Sequence, residues 1–227
     1  MDMREPVSSR FTENDIRLLI EAVDPSLLSR ADAIMGDSAF IESLLDAGCA
    51  GVFQRIMLMD EDAVISGVSP RFFFDVLLRT ARREMEGRAY TVERTTSQKI
   101  PVFDAPRVVR FLENREVMDY LADMLASFIR IESFSMPVRV RKGVWRRVRF
   151  NDMDLDSLQR FCQTVDEERR FGYYKRMGDL CLFIMGMFPE YAFPGYGASG
   201  VRPGMFGRHR RTAAEYVGFG PIVPTKR

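Results

Sequence analysis

Apolar residues recur through the first half of the chain at the spacing of helices that share one hydrophobic core. The repeat i, i+3, i+4, i+7 is typical of amphipathic helices. The first such helix is predicted to begin after Thr12, because Asp15 stands where the second half of a capping box belongs. Its apolar stripe comprises Ile16, Leu19, Ile20 and Val23.

Capping residues predict the boundaries of the helices that follow. Asp24 and Pro25 favour a helix start, and Gly36 favours its end. A third helix is predicted from Asp37 to Gly48, and a fourth is predicted to follow it. The apolar face of this fourth helix comprises Val52, Phe53, Ile56 and Met57.

A fifth helix is predicted after Ser69, because proline at the first helical position suits a helix start. Its apolar face comprises Phe72, Phe73, Val76, Leu77, Ala81 and Met85. Arg79, Arg82 and Arg83 fall mostly on the opposite side, which the pattern assigns to solvent.

The helical period disappears between Gly87 and Pro101. Threonine and tyrosine in this stretch favour an extended chain, so the sequence predicts a subdomain boundary within residues 87–105. Asp104 and Asn114 stand at capping positions and predict two more helices beyond it.

Residues 137–150 change to an alternation of apolar and polar positions around Lys142 and Gly143. Alternation has the period of a half-buried strand, and the glycine favours a tight turn. The segment is therefore predicted to form a β-hairpin with valines on one face and several arginines on the other. These valines are Val138, Val140, Val144 and Val148.

One long helix is predicted after Asp154, running to about Phe188. Residues 189–227 then hold five of the 11 prolines and seven of the 16 glycines, which favours an irregular segment. The sequence therefore predicts a mainly α protein: a multi-helix globular bundle forming a single helical domain over residues 1–188, with one small β-hairpin, followed by an irregular Gly/Pro-rich C-terminal segment.

Composition and charge exclude several classes of function. The 227 residues carry a formal net charge of +1, which argues against a whole-molecule nucleic-acid or membrane-surface binder. His209 is the only histidine, so one chain cannot form a site that needs two imidazoles. The three cysteines stand far apart among apolar neighbours and are expected to be buried thiols. No metal, cofactor or catalytic residue is predicted.

Nothing in the sequence predicts an association with a membrane. Residues Met1–Pro6 include acidic side chains instead of the apolar run of a signal peptide. The longest apolar run, Leu180–Phe188, is far shorter than the roughly 20 residues that span a bilayer. We therefore expect a cytoplasmic protein without a membrane partner.

The basic hairpin is the sharpest local signal for function, because residues 137–150 hold six positive charges and no acid beside the only tryptophan. Arginines next to an aromatic ring suit phosphate contact and base stacking. A solvated hairpin on a helical core would show the same alternation, and three acids follow that could neutralise it: Asp152, Asp154 and Asp156. The candidate residues are Arg139, Arg141, Lys142, Trp145, Arg146, Arg147 and Arg149.

Four weaker signals lie elsewhere in the chain. Gly195–Gly200 has enough glycine to wrap an anion, although a flexible linker explains it better. Glu168 and Arg169 fall near the apolar stripe of the long helix, where a structural ion pair is expected. Cys49 stands at a predicted helix start and is the least implausible nucleophile. A second basic cluster, suited to an acidic partner or to a solvated tail, comprises Arg208, Arg210 and Arg211.

Three classes of function follow from these signals. The leading expectation is a non-enzymatic helical protein that acts through protein–protein interaction or regulation, because catalytic motifs are missing. The alternative is a nucleic-acid-binding protein that uses the hairpin at 137–150 and the basic cluster at 208–211. The third is an enzyme with a site of Asp, Glu and Arg. The sequence leaves homo-oligomer formation open.

Overall fold

The computed structural model describes residues 10–94, 99–130, 133–163 and 165–188, and it confirms the mainly helical fold with a β-hairpin. The α-helices are α1 (Glu13–Val23), α2 (Ala31–Met35), α3 (Ser38–Leu58), α4 (Glu61–Gly67), α5 (Pro70–Met85), α6 (Ala105–Glu113), α7 (Arg115–Ser127), α8 (Leu155–Cys162) and α9 (Arg170–Met187). The remaining elements are 3-10 helices at Pro25–Arg30 and Glu167–Arg169 and strands β1 (Thr91–Arg94), β2 (Lys99–Val102), β3 (Ser133–Arg141) and β4 (Val144–Asn151).

The described chain divides into two compact units. Unit 1 comprises residues 10–93 and 99–129 and contains α1 to α7, and unit 2 contains the hairpin β3–β4 with α8 and α9. The domain limits predicted from the sequence, 1–188 and 189–227, stay a prediction, because residues 189–227 lie outside the described part of the chain.

The start of α1 is fixed by the predicted capping box. The backbone N–H of Asp15 donates to Thr12 Oγ1 at 3.2 Å, and the backbone N–H of Thr12 donates to Asp15 Oδ2 at 2.8 Å. The second carboxylate oxygen of Asp15, which is fully buried, accepts from the backbone N–H of Ser69 at 2.8 Å. One side chain therefore caps α1 and also ties it to the start of α5.

The third and fourth helices predicted from the sequence form one continuous helix, α3, so the prediction of a stop at Gly48 is wrong. A Cβ added at Gly48 would lie 2.1 Å from Val23 Cγ2. The glycine therefore lets α1 approach α3 closely instead of ending the helix. The short helix α4 was not predicted, although Asp60 caps it by accepting from the backbone N–H of Ala63 at 2.8 Å.

The hydrophobic core of unit 1 lies between α1, α3 and α5. The rings of Phe11 and Phe72 meet edge-to-face in it, with centroids 5.4 Å apart. Its least exposed members are Ile16, Leu19, Ile20, Ile41, Leu45, Val52, Ile56, Phe72 and Val76. These positions confirm the helical periodicity that the sequence showed in this half of the chain.

A buried cluster of ion pairs adds to that core. At its centre the Asp75 carboxylate on α5 accepts from Arg79 Nε at 2.5 Å and from Arg71 Nη1 at 3.0 Å. All three side chains are buried, and Arg79 is only 4% exposed. Since residues four apart share one face of a helix, α5 alone brings these three groups together.

The outer contacts of the two arginines join α5 to α3 and α7. Arg79 Nη2 lies 2.7 Å from Glu42 Oε2 on α3, and Arg79 Nη1 pairs with Asp46. Arg71 pairs with two carboxylates of α7, Asp119 at 2.9 Å and Asp123 at 2.5 Å. The buried ion-pair cluster therefore connects three helices of unit 1.

The sequence placed Arg79 on the solvent side of its helix, and that prediction is wrong. Burial alone would lower the pKa of Arg79, but Asp75 and Asp46 raise it above its ordinary value, so the guanidinium stays charged. The pattern of apolar residues alone cannot show that the buried face of α5 mixes polar and apolar side chains. The buried residues of this helix are Arg71, Phe72, Asp75, Val76, Arg79 and Thr80.

Unit 2 contains two helices where the sequence predicted one. α8 ends at Cys162, and α9 begins at Arg170 after the 3-10 turn Glu167–Arg169. Valine and aspartate at 165 and 166 have low helix propensity, which favours the break. All three cysteines are buried and form no disulfide, as predicted: Cys49, Cys162 and Cys181.

We expect Gly48→Ala to destabilise unit 1. Alanine gains about 1 kcal/mol of helix propensity over glycine, but the new Cβ meets the stiff side chain of Val23, and overpacking costs about 1–3 kcal/mol. Gly51→Ala is the matched control, because its nearest neighbour would be Ala22 O at 3.9 Å. Urea unfolding measures both variants, and equal stabilisation by both would contradict the close approach.

We expect Arg79→Met to lower the free energy of unfolding by about 3–5 kcal/mol, because it leaves buried carboxylates without their partner. The control is Arg17→Met, which removes an exposed i, i+4 pair with Glu13 and should change stability by less than about 1 kcal/mol. Urea unfolding followed by circular dichroism checks both values. If Arg79→Met lowers the free energy of unfolding no more than Arg17→Met does, the buried ion-pair cluster does not contribute to the stability of unit 1.

Candidate nucleic-acid interface

The predicted hairpin forms, and it is longer than the sequence indicated. β3 begins at Ser133 and pairs antiparallel with β4, which ends at Asn151. Lys142 and Gly143 form the turn, where Gly143 has a φ of +79° that favours glycine. The turn and the centre of the hairpin therefore lie where the alternation placed them.

Three candidate residues share one face of β4. Side chains alternate along a strand, so Trp145, Arg147 and Arg149 point to one side, which we call the Trp145 face. Arg146 points to the other side together with Val144. The expected separation, with valines on one face and several arginines on the other, therefore holds for Arg147 and Arg149, while Arg146 shares the face of Val144.

Each residue of the Trp145 face pairs with a residue of β3. Trp145 pairs with Arg139, Arg147 with Pro137, and Arg149 with Ser135, with an irregularity between Arg139 and Arg141. The side chain of Arg139 lies outside the described part of the structure, so only its backbone position can be compared with the prediction.

The candidate side chains on β4 and the turn are open to solvent. Trp145 is 63% exposed, and the basic candidates with described side chains are all exposed: Arg141, Lys142, Arg146, Arg147 and Arg149. Among the described residues, no carboxylate forms an ion pair with Arg146, Arg147 or Arg149. Their positive charge is therefore available to a partner.

Two of the three acids that could neutralise the hairpin have other contacts. Asp152 Oδ2 lies 2.6 Å from Arg176 Nη2 on α9. Asp154 caps α8, accepting from the backbone N–H of Asp156 at 2.9 Å and from Ser157 Oγ at 2.9 Å. These contacts anchor the end of β4 to the helices of unit 2.

Two weaker candidates lie in different elements from those that the sequence predicted. Glu168 lies exposed on a 3-10 turn, so the ion pair expected on an apolar helix stripe is wrong for this side chain. Cys49 lies fully buried inside α3, so the helix start that would have activated its thiol does not exist.

The remaining candidates lie outside the described residues and stay predictions: Gly195–Gly200, Arg208, Arg210 and Arg211. Within the ranges that the structure describes, no group of three or more His, Cys, Asp or Glu side chains is arranged to hold a metal ion. None of the described helices has both the length and the apolar character needed to cross a bilayer.

Sequence reasoning missed the surface at the end of α3. Met57 was assigned to an apolar face, but it is exposed, as are Leu58 and Ile65. The signal that was available is the run Asp60-Glu61-Asp62, which predicts a helix start and so a change of direction after α3.

The two units therefore present different surfaces, a basic aromatic hairpin in unit 2 and exposed apolar side chains in unit 1. Comparison with protein-family models, with curated proteins and with solved structures found no match to this chain.

Proposed function

We propose that this chain is a non-enzymatic, cytoplasmic protein that binds single-stranded nucleic acid through the Trp145 face. The observation that carries the proposal is the position of Trp145, 63% exposed on the same strand face as two exposed arginines. An indole ring can stack on an unpaired base, and this stacking is tolerant of sequence. The proposal therefore concerns affinity for single strands and not the reading of a particular sequence.

The spacing of the Trp145 face suits a strand of alternating bases and phosphates. Positions two apart on a β-strand are separated by about 7 Å, so Arg147 and Arg149 follow the ring at regular intervals. Arginine offers a planar fork of donors that matches phosphate oxygens. A base lying on Trp145 would thus bring its neighbouring phosphates toward cationic side chains.

A single strand fits these features better than a duplex does. The flat face of a base is open to stacking only when the base is unpaired, whereas a duplex offers its edges and its backbone. Arginines alone would serve for a duplex, but they would leave the exposed indole without a role.

The leading hypothesis from the sequence, a protein that acts through a protein partner, is likewise non-enzymatic. Tryptophan and arginine are also enriched where proteins bind each other, so an acidic protein surface is the competing ligand for the hairpin. The third hypothesis, an Asp/Glu/Arg enzyme, has less support, because the arginines and carboxylates that unit 1 brings together pair with one another.

We expect Trp145→Ala to weaken binding to an oligo(dT) of about 16 nucleotides by about 5- to 150-fold, because stacking contributes about 1–3 kcal/mol per base. Fluorescence anisotropy of the labelled oligonucleotide measures the affinity. Phe103→Ala is the matched control, since Phe103 is another exposed aromatic residue but belongs to unit 1. In the unchanged protein, quenching of the single tryptophan by unlabelled oligonucleotide reports contact at Trp145 itself. Binding that survives Trp145→Ala at full strength would contradict base stacking.

We expect the double substitution of Arg147 and Arg149 by alanine to reduce the salt dependence of binding. Each phosphate contact to a single strand contributes about 0.7 to the slope of log affinity against log salt, so the slope should fall by about 1.4. Trp145→Ala should leave that slope unchanged.

Two controls accompany the salt series. Arg146→Ala changes the opposite face of β4 and should alter the slope less than Arg147→Ala does. The double substitution of Arg17 and Arg30 by alanine makes the same change of net charge on exposed positions of unit 1. An equal fall in slope for that pair would show a general charge effect. Competition by poly-glutamate as strong as that by oligo(dT) would instead favour an acidic protein partner.

A further inference from the structure

Unit 1 presents an exposed acidic surface with apolar side chains at the junction of α3 and α4. We call it the acidic corner, and it comprises Met57, Leu58, Asp60, Glu61, Asp62 and Ile65. Leu58 is 88% exposed and Ile65 is 74% exposed. The three carboxylates between them are also exposed. Large apolar side chains framed by charge are typical of a surface that binds a partner.

A groove of opposite charge lies at the other end of α5. It has a volume of about 460 Å³, and its lining combines apolar side chains with two arginines; its main lining residues are Met85, Ala89, Pro106, Val109, Arg88 and Arg110. We call it the basic groove. Glu86 also lines it, but its Oε1 lies 3.5 Å from Arg82 Nε. No ion pair to Arg88 or Arg110 is formed by the residues that the structure describes, so the groove keeps these two positive charges.

We propose that unit 1 binds a second copy of this chain, with the acidic corner of one copy in the basic groove of the next. The two surfaces match in charge, three carboxylates against two guanidinium groups, and each also includes large apolar side chains. Leu58 is the most exposed large apolar side chain in the described part of unit 1, and the groove offers apolar walls to receive it.

The corner of a copy cannot enter its own groove. α5 runs from Pro70 to Met85, and 16 residues at about 1.5 Å per residue span about 24 Å. The acidic corner precedes the start of this helix, and the basic groove lies at its end. The contact therefore joins two different surfaces of two copies, and it can occur twice in a two-fold dimer or repeat in a ring or an open chain.

The proposal is tested by reversing the charge of the acidic corner or of the basic groove in the full-length chain. Sedimentation velocity after nuclease treatment then measures association. The corner variant is E61K/D62K, and the groove variant is R88E/R110E. The unchanged protein should associate as its concentration rises. Each variant alone should be monomeric, because its corner and its groove then carry the same charge. A mixture of the two should associate again, since opposite charges face each other at every contact.

Two further variants separate this contact from general effects. The double variant R17E/R30E makes the same charge change as R88E/R110E elsewhere on unit 1 and should associate like the unchanged protein. Leu58→Ser should weaken association by roughly tenfold at every salt concentration, since it removes apolar burial and no charge. An unchanged protein that stays monomeric, or a mixture of the charge variants that does, would overturn the proposal. Restored association in the mixture also shows that both variants are folded.

Discussion

The carboxylate of Asp75 is the group on which the packing of unit 1 depends. It lies between the guanidinium groups of Arg71 and Arg79, and all three side chains are buried. An isolated ion in a protein interior costs several kcal/mol of desolvation, so neither arginine could remain there charged without acidic partners. The helix that carries them can therefore pack only where other helices also supply carboxylates.

This requirement specifies the arrangement of three helices. Glu42 on α3 and Asp119 on α7 complete the coordination of the two arginines. An apolar residue at a helix contact tolerates a small rotation or shift, whereas an ion pair with bonds of 2.7–2.9 Å does not. Replacing a buried ion pair by apolar groups is often neutral for stability. We therefore expect the cluster to determine chiefly which arrangement of the three helices forms. The apolar core between α1, α3 and α5 then supplies the burial that stabilises it.

Local features of the structure could be predicted from the sequence, and features that depend on distant residues could not. The caps of α1 and α5 and the turn at Gly143 were predicted because each depends on neighbours within a few positions. Gly48 was misinterpreted as a helix end, because its reason is a contact with Val23 on another helix. Arg79 was misplaced because its partners Glu42 and Asp46 precede it by more than 30 residues.

The candidate site shows the same division between local and distant causes. The alternation in residues 137–150 located the strands, and it placed Arg147 and Arg149 together correctly. The charge excess of the whole segment did not distinguish Arg146, which shares the face of Val144, from the arginines beside Trp145. The exposure of these arginines agrees with the solvated hairpin that the alternation also allowed, and two of the acids that could neutralise it, Asp152 and Asp154, have contacts with α8 and α9 instead.

Arginine supplies 29 of the 33 basic residues, and the two units use it in opposite ways. In unit 1 the buried guanidinium groups are paired with carboxylates, which explains their presence through folding alone. On the hairpin Arg147 and Arg149 form no ion pair with a described carboxylate, and the only tryptophan of the chain is exposed beside them. Solvation accounts for exposed arginines, whereas a tryptophan ring is on average largely buried in folded proteins. The exposed indole is therefore the feature of the hairpin on which the proposal of a nucleic-acid partner rests.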